Sequence, residues 1–208
     1  MSAMYRGERF NAITHLVGAV LALAGTVILV LAAAHLADPW KVVSVSIYGA
    51  TLLLLYTFST LYHSLRGRAK GIFRKLDHQS IYLLIAGSYT PFCLVTLRGA
   101  WGWSLFGVVW GLALVGGLQE LRPRNEARIL SVVIYVLMGW VILVALLPLV
   151  HALGPAGFAW TAAGGVFYTL GIVFYALDGR YPMAHGVWHL FVLAGSVTQY
   201  VAILRYVI

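Results

Sequence analysis

The sequence predicts an all-α integral membrane protein, a bundle of seven transmembrane helices. Two observations lead to this fold class. Of the 208 residues, 62% are hydrophobic and only 10% are charged. The apolar residues also fall into seven runs of the roughly 20 residues that a helix needs to cross a bilayer. Such runs are too continuous for the alternating strands, of about ten residues each, that build a membrane barrel. We therefore expect one seven-helix domain over residues 1–208.

Short polar segments separate the first three predicted spans. The first two spans, near 13–36 and 41–64, are separated by "ADPW". The basic segment "RGRAKGIFRK" is predicted as the loop before the third span, near 77–97. Pro91 lies inside the third span, so we expect a kink in that helix.

The remaining four spans have equally short boundaries. The fourth, near 101–120, lies between "RGAWGW" and "RPRNEAR". The fifth, near 128–150, ends at "HALGPAG", and the sixth, near 157–177, ends at "DGRYPM". The seventh covers 185–206. None of these loops is long enough to hold a second functional unit.

The distribution of lysine and arginine predicts the orientation, because basic residues near span ends tend to stay in the cytoplasm. Eleven fall on the side of the N-terminus: Arg6, Arg9, Arg66, Arg68, Lys70, Arg74, Lys75, Arg122, Arg124, Arg128 and Arg180. Three fall on the other side: Lys41, Arg98 and Arg205. We therefore predict a cytoplasmic N-terminus and an outside C-terminus, in a multi-pass protein of the cell (plasma or inner) membrane. Four tryptophans fall at predicted outer ends, as in an interfacial aromatic belt: Trp40, Trp101, Trp103 and Trp160.

This topology also accounts for the net charge of +8. Basic loops on the cytoplasmic side face anionic lipid head groups, so the charge does not require a nucleic-acid partner. The predicted partners are membrane lipids and a small lipid substrate or ligand.

Two histidines stand at the start of the seventh span, in "AHGVWHL". His185 and His189 are at positions i and i+4, so their side chains project from one helix face, about 6 Å apart along the axis. This spacing suits two ligands of one metal ion. The pair alone favours a simpler interpretation, two interfacial residues bonded to neighbouring carbonyls.

The predicted topology brings two more ionisable residues to the same depth. The second span ends on the inner side with "STLYHSL", which contains His63, and the third begins there with "LDHQSIY", which contains Asp77. Ionisable clusters within a membrane are by default functional sites. Together with His185 and His189, they predict a metal site in the inner leaflet.

The residue types in this cluster are typical of a hydrolytic zinc site. Three neutral imidazoles, here His63, His185 and His189, suit a catalytic zinc that keeps a fourth position open. Asp77 would accept a proton from the attacking water. Ser59 lies one turn before His63 on the same helix face, where its hydroxyl could orient the water or a substrate carbonyl. Imidazole also binds iron, nickel and copper, and zinc is preferred here because hydrolysis is redox-silent.

The other polar residues near helix ends receive simpler interpretations. His78 points about 100° away from Asp77 on a helix, so we expect it to face a loop or to contact the residues that surround the site, and not to bind the metal. His15 also lies toward the cytoplasmic end, but the sequence assigns it no partner. Four acidic residues with basic neighbours are expected to lie at helix ends or loops and to be solvated: Glu8, Glu120, Glu126 and Asp178.

Four segments spread over essentially the whole chain carry a family resemblance: "ERFNAITHLVGA", "STLYHSL", "LDHQSIYLLIAGSYTPF" and "HGVWHLFVLAGS". The chain resembles the hemolysin III family, the bacterial branch of the progestin and adipoQ receptor family that includes the adiponectin receptors. The resemblance implies a seven-helix bundle with an inward N-terminus and a zinc ion bound by His63, His185 and His189. It also implies a water near Asp77, with Ser59 close by. The wider superfamily includes alkaline ceramidases, which implies hydrolysis of a lipid amide.

Three functional classes remain open from the sequence. The first is a metal-dependent hydrolase of ceramide-like lipid amides. The second is a haemolysin or pore-forming protein, which the family name suggests although the sequence contains no amphipathic pore helix. The third is a lipid-sensing receptor in which the zinc is structural. The sequence leaves the oligomeric state open.

Overall fold

The computed structural model describes residues 7–121 and 127–208, and almost all of them are helical. Within this part of the chain there are seven α-helices and two short irregular helical turns. The α-helices are α1 (Glu8–His35), α2 (Pro39–Ser64), α3 (Gly67–Pro91), α4 (Ala100–Gln119), α5 (Ala127–Trp140), α6 (Leu146–Ala176) and α7 (Ala184–Tyr206). A π-helical turn, Phe92–Thr96, follows α3, and a 3₁₀ turn, Val141–Ala145, joins α5 to α6.

Five helical stretches among the described residues are long and apolar enough to cross a bilayer. They are Glu8–His35, Pro39–Ser64, Ala100–Gln119, Ile129–Ala176 and Ala184–Tyr206. Much of their apolar surface faces away from the bundle, as the exposed side chains of α1 illustrate: Ile13, Leu16, Val20, Leu23, Val27 and Leu31. Helices that are hydrophobic on all sides are typical of a membrane protein. The structure thus supports the predicted class of an integral membrane helical bundle.

The third helix begins earlier than predicted. We expected a loop over "RGRAKGIFRK", but α3 starts at Gly67, ten residues before the predicted span at 77. Lysine, arginine and alanine are good helix formers, so the segment extends the helix despite its polarity. Arg6, Arg122 and Arg124, which contributed to the predicted orientation, lie outside the described residues, as does Glu126, which was expected to be solvated.

The predicted break at 151–157 is a kink and not a loop. Helix α6 runs from Leu146 to Ala176, but Gly154 has φ 70° and ψ 172°. A positive φ is readily available only to glycine. Pro155 follows and cannot donate a backbone hydrogen bond. The chain therefore changes direction at this point while remaining helical on both sides.

Helix α3 ends where proline was predicted to disturb it. Pro91 is its last residue, and the next turn widens into the π-helix. There the N–H of Leu97 donates to the carbonyl of Phe92 at 2.8 Å, a step of five residues. Single π turns inside membrane helices re-satisfy backbone groups that a proline displaces.

Polar contacts deep in the bundle hold α2, α6 and α7 together. The Tyr56 hydroxyl on α2 donates to Ser196 Oγ on α7 at 2.8 Å, and Tyr168 on α6 bonds to the same oxygen at 2.9 Å. Tyr56 and Tyr168 each lie eight residues before the end of their helix, and Ser196 lies twelve residues after the start of α7. These contacts position the start of α7 against the end of α2.

Candidate metal centre

Three histidines from two helices meet at one end of the bundle. His63 lies in the last turn of α2, and His185 and His189 lie in the first turns of α7. One nitrogen from each ring falls within 4.8 Å of the others. His63 and His189 are buried, and His185 is partly buried. The structure thus brings together the three histidines predicted as ligands, in an arrangement that could hold a metal ion.

The Nδ1 atom of each of the three histidines makes a hydrogen bond on the side of the ring away from the cluster. His63 Nδ1 hydrogen-bonds to the carboxylate of Glu8 on α1. His185 Nδ1 lies 3.2 Å from Oδ2 of Asp178. His189 Nδ1 lies 3.2 Å from the backbone carbonyl of Asn11. Carboxylates and carbonyls only accept hydrogen bonds, so each Nδ1 is the donor.

This arrangement determines which nitrogen faces the centre. When Nδ1 of a neutral imidazole carries the proton, Nε2 keeps the lone pair that a metal needs. The Nε2 atoms of His63 and His185 lie 3.2 Å apart. Two lone pairs at this distance repel unless a cation or a proton lies between them. The separation also matches the roughly 3.3 Å between two nitrogens on a tetrahedral zinc with bonds of about 2.0 Å.

The cluster opens on a cavity in the bundle. Its lining includes His15, Ser59, Asp77, His185 and His189. Ser59 and Asp77, the residues predicted to assist catalysis, are both buried. They therefore line the same cavity as two of the three histidines. The rest of the lining is mostly apolar or aromatic.

A fourth histidine, His15 on α1, lies against the cluster. Its ring stacks on that of His189, with centroids 3.5 Å apart and an angle of 9° between planes. The edge of Tyr56 closes its other side at 5.0 Å. The lone pairs of stacked imidazoles lie in parallel planes, so His15 and His189 cannot both point at one ion. His15 instead braces the His189 ring.

Sequence reasoning missed the partners that orient the ligands. We expected Glu8 and Asp178 to be solvated, but Glu8 contacts His63 and Asp178 contacts His185. For Glu8 that interpretation was wrong, because its carboxylate is held by His63 and Lys70 across helix contacts that the sequence does not display. Asp178 lies in the turn after α6 with 37% of its side chain exposed, as expected, and it contacts His185 as well. One signal was available: Glu8, Asn11 and His15 recur at helical spacing on one face of α1, at the mouth of an apolar run.

A second polar network joins α3, α4 and α5 at the same end. Nδ1 of His78 lies 3.5 Å from Oε2 of Glu120, and Oε1 of Glu120 accepts a 2.5 Å hydrogen bond from Ser131. The Glu120 side chain is only 9% exposed. The expectation of a solvated Glu120 was therefore wrong, because packing of α4 on α3 and α5 covers the carboxylate. The position of His78 agrees with a role beside the site.

Comparison with known proteins places this chain among related sequences. A family model described as "Haemolysin-III related" matches residues 4–200. The chain is 41% identical to Hemolysin-3 of Bacillus cereus over 209 residues, covering 100% of this chain and 95% of that protein. It is 40% identical over 200 residues to a Hemolysin-3 homolog of Bacillus subtilis (strain 168), covering 96% and 93%. The human monocyte to macrophage differentiation factor is 29% identical over 175 residues, covering 81% and 72%.

Proposed function

Because the chain belongs to the haemolysin-III related family of multi-pass membrane proteins, we propose that its histidine cluster binds zinc and that the protein hydrolyses a lipid amide. The observation that carries the proposal is the position of the three imidazoles. They stand at one end of a cavity that is largely apolar and also contains a buried carboxylate. A metal site that served only to fasten helices together would need neither feature.

The histidine cluster, Asp77 and Ser59 have separate roles in the proposed hydrolysis. A zinc ion at the cluster would supply a Lewis acid that polarises the scissile carbonyl and makes a nearby water more acidic. Asp77 accepts the proton of the attacking water and returns it to the leaving nitrogen. Ser59 donates a hydrogen bond that orients the carbonyl. The apolar lining takes the acyl chain and excludes bulk water from the reaction.

The topology belongs to the same proposal. The stretch Ile129–Ala176 has 48 residues. It would be about 72 Å long as one straight helix, whereas the hydrocarbon layer is about 30 Å thick. We assign it two spans that meet at the Gly154 kink. With α3, whose polar residues belong to the site, the chain then crosses the membrane seven times.

The same assignment sets the orientation. The cluster lies at the cytoplasmic end, close to the basic start of α3. At the other end Trp40 and Trp103 make an edge contact at 5.8 Å, and the Arg98 guanidinium lies 5.0 Å from the Trp40 ring. Aromatic residues collect at membrane interfaces, which fits an outer boundary there. The N-terminus is cytoplasmic, the C-terminus is outside, and the membrane is the cell membrane.

Two other functions have some support. The name of the Bacillus cereus relative suggests a haemolysin. A lipid-sensing protein with structural zinc would use the same three histidines, since their nitrogens suit one ion whether or not chemistry follows. A direct assay separates these options. Zinc-loaded protein in lipid nanodiscs is incubated with ceramide and other N-acyl lipids, and released fatty acid is measured by mass spectrometry.

The proposal predicts fatty acid release by the wild type and none by His63→Ala. If the zinc-loaded wild type releases no fatty acid from any lipid in the panel, a structural zinc site is favoured. Lysis of liposomes loaded with a dye by the wild type, independent of zinc, would favour the haemolysin.

A further inference from the structure

The cavity beside the histidine cluster continues toward the far end of the bundle. An adjoining space is lined by residues that include Phe92, Leu149 and Phe158. The two spaces share six lining residues: Ser88, Tyr89, Gly139, Trp140, Gly165 and Gln199. We call this shared level the junction. A long molecule with its head at the cluster would pass through it.

At the junction, Gln199 of α7 contributes a side-chain amide. Its side chain is 8% exposed. Its Nε2 donates to the backbone carbonyl of Thr161 on α6 at 3.0 Å. Only the amide nitrogen can donate to a carbonyl, so this bond sets which way the amide is turned. Gly164 makes room for it, since a Cβ there would lie 2.7 Å from Gln199 Nε2.

The oxygen of the Gln199 amide lacks a hydrogen-bond donor within the described part of the chain. Gln199 Oε1 is buried and has no hydrogen-bond partner among the described residues. A buried carbonyl without a donor is costly and uncommon in folded proteins. Three other polar side chains line the junction, and each donates a hydrogen bond within the protein. Ser88 donates to the Ile85 carbonyl and Tyr89 to the Gly139 carbonyl, both at 2.8 Å. Trp140 donates to Thr169 at 3.0 Å. Gln199 is the group here that lacks its donor.

We propose that the cavity selects lipids whose acyl chain carries a hydroxyl group, and that this hydroxyl donates to Gln199 Oε1. Gln199 lies ten positions after His189 on α7, a rise of ten residues. This rise is about 15 Å, the reach of roughly a dozen extended methylene groups. The hydroxyl would therefore lie near the twelfth carbon of a chain whose carbonyl is at the cluster. This inference rests on the proposed function, which puts the carbonyl there.

The test compares the binding of three fatty acids to zinc-loaded, full-length protein in nanodiscs by competition with a fluorescent fatty acid. The probes are stearic acid and two hydroxystearic acids, with the hydroxyl on the third or the twelfth carbon. The two isomers have the same formula and functional groups, so they differ only in the position of the hydroxyl, and their partitioning into protein-free nanodiscs is measured and subtracted. We expect the twelfth-carbon isomer to bind about five-fold more tightly than the third-carbon isomer, the gain of one buried hydrogen bond.

Substitutions test whether Gln199 causes the preference for the twelfth-carbon isomer. Gln199→Leu and Gln199→Met should bind both isomers equally and should keep the zinc content of the wild type. Thr198→Val is the matched control, because the Thr198 hydroxyl bonds to carbonyls of its own helix, Ala194 and Gly195. It should keep the preference.

Each outcome bears on the inference. Equal binding of the two isomers to the wild type would overturn it, and so would a preference that survives both Gln199 variants. Either result, with stearic acid still bound, leaves the proposed function standing. If none of the three acids binds while zinc is retained, the acyl cavity itself is refuted, and the proposed function fails with the inference.

Discussion

Glu8, in the first turn of α1, hydrogen-bonds to Nδ1 of His63 at the end of α2. Its other carboxylate oxygen accepts a 2.8 Å hydrogen bond from Lys70 on α3. One side chain thus joins three helices behind a proposed ligand. A carboxylate in this position sets the tautomer of the histidine and raises its basicity as a ligand.

The first prediction follows from this contact. Glu8→Ala should weaken zinc binding by about 10- to 100-fold, the usual effect of removing the partner of a ligating histidine. The measurement is a zinc titration against a chelator of known affinity. Glu120→Ala is the matched control, because Glu120 faces His78 and not the cluster. Equal effects of the two substitutions would mean that Glu8 acts through general stability.

The second prediction concerns the ligands. His63→Ala, His185→Ala and His189→Ala should each deplete purified protein of zinc, because two imidazoles and water hold the ion far less tightly than three imidazoles. Metal content is measured by mass spectrometry of the purified protein. The exposed histidines His35 and His151 provide controls, and their alanine variants should keep the metal. Loss of zinc in both sets would show that metal content reports folding.

The third prediction concerns packing of α3 on α2. A Cβ at Gly87 would lie 2.0 Å from Thr51 Oγ1, whereas none of the described atoms lies within 4 Å of one at Gly111. Gly87→Ala should lower the melting temperature, because the two helices must separate to admit the methyl group. Gly111→Ala should be neutral or slightly stabilising, as alanine favours a helix. A thermal melt in detergent compares them, and equal melting temperatures would contradict the close contact.

The fourth prediction concerns topology. A reporter fused before Met1 should give a cytoplasmic signal, and one fused after Ile208 should report the opposite side. Alkaline phosphatase and green fluorescent protein fusions make the measurement, because each is active on one side only. Signals from the same compartment would mean an even number of spans.

Much of the fold was predictable because hydropathy is a local property. Runs of about 20 apolar residues predicted α2, α4 and α7 to within two residues at each end. The start of α3 and the boundary between α5 and α6 were each misplaced by roughly ten residues. The start of α3 at Gly67 was missed because a hydropathy pattern reports the lipid-facing part of a helix and ignores its polar extension. The kink at Gly154 was read as a loop because glycine and proline signal both.

The candidate site was predictable to a smaller extent. His185 and His189 were visible from their i, i+4 spacing, and topology alone brought His63 to them. The contact of Glu8 with His63 depends on how α1 packs against α2, and that of Asp178 with His185 depends on the turn between α6 and α7; hydropathy encodes neither. The unpartnered oxygen of Gln199 was invisible for the same reason, since it is defined by what surrounds it.

The substitution Asp77→Asn tests the central claim most directly, because the proposal assigns Asp77 to the proton of the attacking water and not to the metal. The measurement determines zinc content and the rate of lipid amide hydrolysis on the same purified sample. The account predicts unchanged zinc and a rate lower by about 10²-fold or more, as expected for the loss of a general base. Loss of zinc would make Asp77 a ligand and the site a structural one, and retained zinc with a wild-type rate would contradict the assignment of the base.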